Sequence, residues 1–299
     1  MLHGVSNKDH FIINGRHLPV TQFRSLLFYL KKNFEIRKLC DLCEMKVRGV
    51  MPEKRTIALT FDDGFRNNLS TALPLLEELK IPATFFICTA SLTESAYIHI
   101  TDYLDLVRFS VKGPVRIGSK IFRESAGRLL DAETGEEALQ YINSLGYQQW
   151  QSIFEQLKSD FPASLVTTGI EPGKYATLST HDLELLRKSA FVSIGSHSHE
   201  HVNLAALDPS DIESQVSKSS RILQNFYRDE FLPFAFPFGY FNASVVDIAK
   251  RAGFRYLIAG GEVAEPWKSH LVPRIGVLSM ASVYYNILSI NRGFKRFGF

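Results

Sequence analysis

Apolar positions along this chain follow two alternating spacings, which predict strands and helices in turn. Short continuous apolar runs at residues 57–61, 83–87 and 191–195 are typical of buried parallel strands. Apolar residues three or four positions apart predict helices over residues 21–34 and 208–226. Because strands that alternate with helices form a parallel sheet covered by helices, the pattern predicts an α/β fold.

The alternation continues towards the end of the chain. Residues 231–236 and 256–259 predict two further strands, and Asn242 predicts the start of the helix between them. Ser179, with Asp182 three residues later, predicts a capping box at the start of the helix before the strand at 191–195. A (β/α) barrel is favoured over a doubly wound open sheet, because no glycine-rich phosphate loop is present.

Residues from about 92 to 175 interrupt this alternation. Helical spacings centred on Leu104, Ile142 and Ile153 predict a helical insertion at 92–175 within a single domain spanning residues 1–299. The insertion lies between an early strand and the strand that precedes the histidine segment. It is either a lid or wall over the mouth of the barrel, or a packing appendage.

Residues with ligand chemistry follow two of the predicted strands. Residues 60–64 read TFDDG, and residues 197–201 read HSHEH. A carboxylate and two imidazoles are the ligands that a divalent ion such as zinc accepts. We therefore predict that Asp63, His197 and His201 bind a metal ion and leave one coordination position open for catalysis.

Asp62 is the carboxylate left over, and we predict that it is the general base. The two histidines, four residues apart, could share one face of a helical turn. Each segment also has a simpler interpretation. Asp-Asp-Gly is common in turns, and three histidines within five residues are compatible with an exposed polar loop.

These segments resemble the hallmark motifs of the polysaccharide deacetylases of the chitin deacetylase type, a family of carbohydrate esterases. Both motifs, TFDDG and H-[ST]-x-x-H, are present without a mismatch. Residues 234–239 (FAFPFG) are similar to the third motif of the family, and residues 2–5 to its opening strand. Residues 178–187 and 271–275 are similar to segments of members that act in surface-glycan biosynthesis.

The resemblance implies a fold and a reaction. The fold is a distorted (β/α) barrel of seven strands. The reaction is metal-dependent removal of an N-acetyl group from an amino sugar in a glycan or glycan precursor, in surface polysaccharide biosynthesis. The implied substrate is an N-acetylated sugar, an oligosaccharide or a lipid-linked glycan. The implied cofactor is one divalent ion, expected to be zinc, with cobalt, nickel, manganese and iron as alternatives.

The resemblance also implies roles in the third motif. The backbone N–H of Phe238, where the family usually has tyrosine, would bind the oxyanion, and Pro237 and Gly239 would contact the substrate. The family commonly has an arginine that orients the base at the position of Ala235. Arg274 is the predicted replacement, from a neighbouring strand.

The general acid is the least defined part of the predicted site. The late Leu-x-Ile-x-His motif of the family is absent, since the most similar segment, residues 287–291, reads ILSIN. His3, at the end of the expected first strand, and His270 are the candidates for protonating the leaving amine. An ordinary surface or hydrogen-bonded histidine is the alternative for each.

Two other functions remain open from the sequence. One is deformylation or another C–N hydrolysis on a lipid-linked amino sugar, which differs in the acyl group. The other is non-catalytic glycan binding, which the departures from the family motifs favour. The retained base Asp62 argues against a binding module.

Composition narrows the partners and the compartment. The net charge of +3 and the lack of a basic run with interleaved aromatic residues before the C-terminal tail argue against nucleic acid. No secretory signal or membrane-spanning run is recognised, and with three cysteines a cytoplasmic location is expected. Residues 282–299 combine apolar and basic positions, which leaves open a peripheral contact with the inner membrane face.

Overall fold

The computed structural model describes residues 1–7, 15–168, 173–227, 231–260 and 271–296. The strands of these residues are β1 (Gly4–Ser6), β2 (His17–Pro19), β3 (Glu35–Ile36), β4 (Thr56–Ile57), β5 (Leu59–Phe61), β6 (Ala83–Ile87), β7 (Val115–Ile117), β8 (Lys120–Ser125), β9 (Arg128–Asp131), β10 (Val192–Ser196), β11 (Pro233–Ala235), β12 (Tyr256–Ile258) and β13 (Leu271–Val272). The helices are α1 (Val20–Asn33), α2 (Leu39–Val47), α3 (Leu73–Leu79), α4 (Ile100–Ser110), α5 (Ala138–Asn143), α6 (Tyr147–Asp160), α7 (Ala163–Val166), α8 (Thr180–Leu186), α9 (Pro209–Phe226), α10 (Ala243–Arg251) and α11 (Val283–Arg296).

A parallel sheet forms the centre of the molecule, with strands in the order β13-β12-β11-β10-β6-β5. Its longest pairing joins β6 to β10, from Val192 opposite Ala83 to Ser196 opposite Ile87. Phe85 packs in the outer core under the helices, whereas Phe86 packs inside the sheet. Because both faces are covered, each strand is a continuous apolar run rather than an alternating one.

The N-terminal residues lie in the seam between the two edge strands, β5 and β13. Leu2 bridges Phe61 in parallel, and its backbone N–H donates to Thr60 O over 2.8 Å. On the other side of the seam, Val277 N donates to Met1 O over 2.9 Å. The sheet therefore curls towards closure. The predicted distorted α/β barrel is confirmed, but seven strands are not, since the described residues show six paired strands and one bridge.

Helix α2 covers the amino end of this barrel. Leu39 and Cys43 pack against Phe86 and Ile258 inside the sheet. Glu44 accepts a hydrogen bond from the hydroxyl of Tyr256, the first residue of β12, which places α2 at the amino ends of the strands. The opposite, carboxyl end is the one at which barrel active sites lie.

Two of the predicted helix starts are confirmed. Ser179 Oγ accepts from Asp182 N over 3.2 Å and Asp182 Oδ2 accepts from Ser179 N over 3.0 Å, which completes the capping box of α8. Asn242 Oδ1 accepts from Val245 N at the start of α10. These side chains satisfy amides that have no partner within the helix.

The insertion at 92–175 contains the three predicted helices, α4 to α6. It also contains the short helix α7 and an antiparallel sheet, β7-β8-β9, which were not predicted. The long strand β8 is mostly exposed and has no apolar run. Its one local signal is the turn into β9, where Ala126 and Gly127 have φ angles of 48° and 79°. The insertion is therefore mixed in structure rather than helical.

None of the described helices is both long and apolar enough to span a lipid bilayer.

Candidate metal centre

The three predicted metal ligands meet at the carboxyl end of the barrel. Asp63 lies two residues beyond β5, and His197 directly follows β10. Their ligand atoms and that of His201 all lie within 4.8 Å of one another. Nε2 of His201 is 3.2 Å from Asp63 Oδ1, and Nε2 of His197 is 3.6 Å from the same oxygen. All three side chains are buried.

The histidine segment is an irregular loop, not the helical turn that a spacing of four suggested. Ser198 and His201 have φ angles of 63° and 58°, in the left-handed region that favours glycine. Asp63 has a φ of 72°. Backbone strain of this kind costs about 1–3 kcal/mol per residue and persists only where surrounding contacts fix it. Here Thr89 N donates to Ser198 O over 3.2 Å and Ala90 N to the next carbonyl over 2.9 Å.

The hydrogen bonds of the site leave lone pairs facing one another. Nδ1 of His197 lies 2.8 Å from the carbonyl oxygen of Ala235, which can only accept, so Nδ1 carries the proton and Nε2 a lone pair. Asp63 Oδ1 is buried without a hydrogen-bond donor among the described residues. His201 Nδ1 has no hydrogen-bond partner among the described residues, so nothing prevents Nε2 from acting as a ligand. A carboxylate oxygen and two imidazole nitrogens that converge in this way fit a divalent cation.

The ionisation of these groups agrees with ligation. Burial lowers the pKa of His197 to about 4, with His201 adding to the effect against the opposing influence of Asp62. Burial would raise the pKa of Asp63, but the neighbouring His201 and His3 outweigh it and hold the pKa well below its ordinary value. At neutral pH the site therefore presents a neutral His197 and an ionised carboxylate.

Asp62 is held by Arg274 through two parallel hydrogen bonds. Nη1 and Nη2 of Arg274 donate to the two carboxylate oxygens over 2.6 and 2.8 Å, and the residues are only 8% and 2% exposed. Burial opposes ionisation of Asp62, but Arg274 and His197 outweigh it and lower its pKa. Oδ2 of Asp62 lies 3.8 Å from Nε2 of His197, so the ionised carboxylate borders the ligand cluster.

Arg274 does not come from a strand next to Ala235, as the sequence analysis expected. It follows β13, which β12 separates from β11, and it reaches Asp62 across the seam. Its guanidinium lies 5.5 Å from the centre of the Phe86 ring, inside the barrel. Closure of the sheet therefore brings the Arg274 guanidinium beside the base Asp62.

The third motif forms a tight turn beside His201. Pro237–Gly239 is a short 3-10 turn in which Phe238 has a φ of 58°. The Phe238 ring centre lies 4.5 Å from that of His201. A side chain on Gly239 would place its Cβ 2.9 Å from Gly260 Cα, so this close approach requires glycine. The turn thus places the backbone of Phe238 beside the ligands, while its predicted oxyanion role stays a prediction.

The two candidate general acids differ in what the structure shows. His3 precedes β1 rather than ending it, and it is partly buried. Burial lowers the pKa of His3, an effect that the nearby Asp63 and Asp62 partly offset. His270 lies outside the described residues. His3 is therefore in electrostatic contact with the carboxylate pair, and its role as acid stays a prediction.

Two supporting contacts come from the insertion, and the sequence analysis missed both. His99 Nε2 lies 2.9 Å from the carbonyl oxygen of Asp63. Glu200, next to His201, accepts hydrogen bonds from the Tyr147 hydroxyl and, over 2.5 Å, from Gln215 Nε2. His99 directly precedes α4 and Tyr147 is the first residue of α6. A single polar side chain at the start of a helix gives no local signal of a distant contact. The insertion thus packs against the ligand loop.

Comparison with known sequences decides the family. The sequence profile described as "Polysaccharide deacetylase" matches residues 49–124 and 153–257, which together are more than half of the chain. The chain belongs to the polysaccharide deacetylase family. Arg274 lies beyond the matched residues of this polysaccharide deacetylase, and Tyr147 lies in the unmatched gap. No curated protein matches the chain.

Solved structures share the fold of this polysaccharide deacetylase. The de-N-acetylase of Aggregatibacter actinomycetemcomitans has a TM-score of 0.59 at 15% identity, over 98% of this chain and 97% of that one. The Streptococcus pyogenes deacetylase PplD, solved with acetate, has a TM-score of 0.58 at 15% identity, over 96% and 92%. IcaB from Ammonifex degensii has a TM-score of 0.58 at 14% identity, over 96% and 94%. At such identities the likeness shows the fold alone.

Proposed function

We propose that this polysaccharide deacetylase is a metal-dependent hydrolase that removes an N-acetyl group from an amino sugar in a glycan or glycan precursor. The observation that carries the proposal is the convergence of Asp63, His197 and His201 beside an ionised Asp62. A base adjacent to three lone-pair donors is the set that amide hydrolysis at a metal requires. A glycan-binding module would not need the base or the arginine that holds it.

The residues of the site would divide the reaction among them. A divalent ion held by Asp63, His197 and His201 would supply Lewis acidity and make water a better nucleophile. Asp62 accepts the proton of the attacking water, and its two hydrogen bonds to Arg274 fix the carboxylate in position. The backbone N–H of Phe238 donates to the oxyanion, a contact that typically contributes about 10²–10³ in rate.

Departure of the amine needs a proton, which we assign to His3. Its proximity to Asp62 and Asp63 favours the protonated form more than burial alone would allow. The proton that Asp62 gains from water can return to the leaving nitrogen through this neighbouring imidazole. Pro237 and Gly239, in the turn beside the ligands, would contact the acyl group and the sugar.

The names of structural neighbours support the choice of substrate. They include a de-N-acetylase and a deacetylase solved with acetate. We propose an N-acetylated glycan of the cell surface, or its precursor, as the substrate, and zinc as the metal. The same two nitrogens and one oxygen would also accept cobalt, nickel, manganese or iron.

Elemental analysis together with acetate release tests this function. We expect about one equivalent of a transition metal in the purified protein and release of acetate from N-acetylated amino-sugar oligomers. His201→Ala should lose both. His181→Ala, which removes an exposed histidine on α8, is the matched control and should keep both. Release of formate from an N-formylated amino sugar, with no acetate from its N-acetylated counterpart, would assign a deformylase. Absence of bound metal after zinc or cobalt is supplied would refute the hydrolase mechanism.

A further inference from the structure

An apolar cavity of about 170 Å³ lies in the seam between β5 and β13. Its walls come from both edge strands and from the three helices that cover them. Apolar cavities of about 150 Å³ stay dry and bind small apolar molecules. Side chains that form the walls are Leu26 and Leu30 of α1, Leu42 of α2, Ile57, Val272, and Ile290 of α11. The cavity is therefore suited to a hydrocarbon chain.

Exposed apolar side chains flank the cavity on two sides. Val47, Val50 and Met51, at and beyond the end of α2, are 58%, 50% and 44% exposed. Tyr284 and Leu288 are exposed on α11. Single exposed apolar residues are common, but clusters around a cavity are typical of binding surfaces.

Direct contacts show that these two exposed segments border the same cavity. Pro52, just beyond Met51, and Ile290 of α11 both line it. Arg55 Nη2 donates to Asn291 Oδ1 over 2.7 Å, which joins the segment after α2 to α11. The two segments thus form one apolar rim.

Basic residues accompany this rim. Residues 37–55 contain six basic and three acidic side chains. Arg292 is exposed on α11, and residues 283–293 of that helix include no acidic residue. Lys46 lines the cavity itself, and burial there lowers its pKa from the ordinary value. An ammonium group partly withdrawn from water gains more from a neighbouring anion than an exposed one does. The rim therefore favours a negatively charged head group.

We propose that this seam cavity binds an acyl chain of an anionic phospholipid at a bilayer surface, with Lys46 beside the phosphate. The rim side chains Val47, Met51 and Leu288 then lie in the apolar layer of the membrane interface. Thr60 and Arg274 also line the cavity. The acyl chain would therefore contact Arg274, the residue that pairs with Asp62. This binding does not depend on the proposed hydrolase activity.

Vesicle co-sedimentation tests the proposal. We expect the protein to bind vesicles of phosphatidylcholine with phosphatidylglycerol, and to bind pure phosphatidylcholine vesicles at least about 5-fold more weakly, the contribution of about one basic residue. Lys46→Gln should weaken the binding by about 5-fold. Lys112→Gln, which removes an exposed lysine of the insertion, is the matched control and should not. Equal binding to the two vesicle types would overturn the anionic head group.

Filling the cavity separates chain binding from simple surface attraction. Ala58 lines the cavity, and Ala58→Leu should weaken vesicle binding by about tenfold, the effect of excluding about two methylene groups. Leu42→Phe is the second filling variant, used if the first one fails to fold. Leu165→Ser changes an apolar residue of α7 that is 55% exposed and serves as the matched control. Folded cavity-filled variants that bind like the parent would refute the proposal.

Soluble lipid analogues distinguish an acyl chain from an isoprenoid chain as the occupant of the cavity. Isothermal titration with dihexanoyl phosphatidylglycerol below its micelle concentration should give binding that Ala58→Leu weakens by about tenfold. Farnesyl phosphate, with an isoprenoid chain, is the competing probe. Binding of farnesyl phosphate alone would overturn the bilayer lipid as occupant, and binding of neither probe would overturn the site.

Discussion

The two ends of the barrel use the same strands in different ways. At the carboxyl end, the buried polar side chains of Asp63, Ser198 and His201 stand on left-handed backbone. At the amino end, regular helix α2 inserts the apolar side chains of Leu39 and Cys43 between the strands. One end holds chemical groups in unfavourable conformations, and the other contributes packing. The conformation of the site is therefore maintained by apolar packing in other parts of the barrel.

The energies involved explain this separation. Three left-handed residues at about 1–3 kcal/mol each approach the whole net stability of a typical domain, about 5–15 kcal/mol. The strained residues themselves add no apolar burial to offset this cost, because the side chains of Asp63, Ser198 and His201 are polar. Large apolar side chains under the sheet, Phe23, Phe61 and Phe85 among them, supply that burial.

The largest effect is expected from removing the base at the carboxyl end. Asp62→Asn should lower the rate of acetate release by about 10²–10⁴-fold, because proton transfer is lost while the metal ligands remain. Kinetics and elemental analysis on one preparation measure both. Asp247→Asn, on the exposed face of α10, is the control. Loss of metal together with activity would contradict the assignment of Asp62 as base rather than ligand.

A substitution at the amino end should lower stability and leave the rate of the reaction unchanged. Leu39→Ala, at a residue 5% exposed, should lower the free energy of unfolding by about 2–5 kcal/mol, because it leaves a cavity among the barrel strands. The rate constant kcat below the unfolding transition should not change. Urea unfolding and kinetics test this. A fall in kcat with unchanged stability would contradict the claim that the amino end contributes packing alone.

Acid should destabilise the protein through histidines that are buried in the neutral form. Burial lowers the pKa of His17 to about 3 and that of His199 to about 4, against an ordinary value of 6.5. The unfolded chain therefore takes up protons first, so the free energy of unfolding is full above pH 6.5 and falls as the pH drops towards 4. Urea unfolding at several pH values measures the slope. His199→Asn should flatten it, and an unchanged slope would contradict this cause.

The smallest effect is expected from relieving strain. Phe238→Gly should remove the left-handed penalty at φ 58° and stabilise the fold by about 1 kcal/mol, less the contact that the ring makes with His201. The backbone N–H is kept, so the rate should change by less than about tenfold. Thermal unfolding and kinetics check both parts. A loss of about 10²–10³ in rate would show that the ring, not the amide, carries the function.

The sequence was sufficient to predict those site residues that directly follow a strand. Asp63 and His197 come directly after apolar runs, and parallel strands bring such ends together. It predicted that Arg274 holds the base, but not that this arginine reaches Asp62 across the seam, because its position depends on closure between the two edge strands of the sheet. The mostly exposed strand β8 and the supporting Tyr147 escaped for a similar reason: neither leaves a periodic pattern.

Arg274 has an evolutionary consequence. Ala235 packs against Phe86, and the guanidinium of Arg274 lies over the ring of that same residue. One buried carboxylate neutralises one buried guanidinium, so a second arginine at position 235 would be left without a counter-ion, at a cost of several kcal/mol. The two positions are therefore epistatic. A relative with arginine at position 235 is therefore expected to lack arginine at position 274. Absence of arginine from position 235 does not by itself mean that the base has lost its partner.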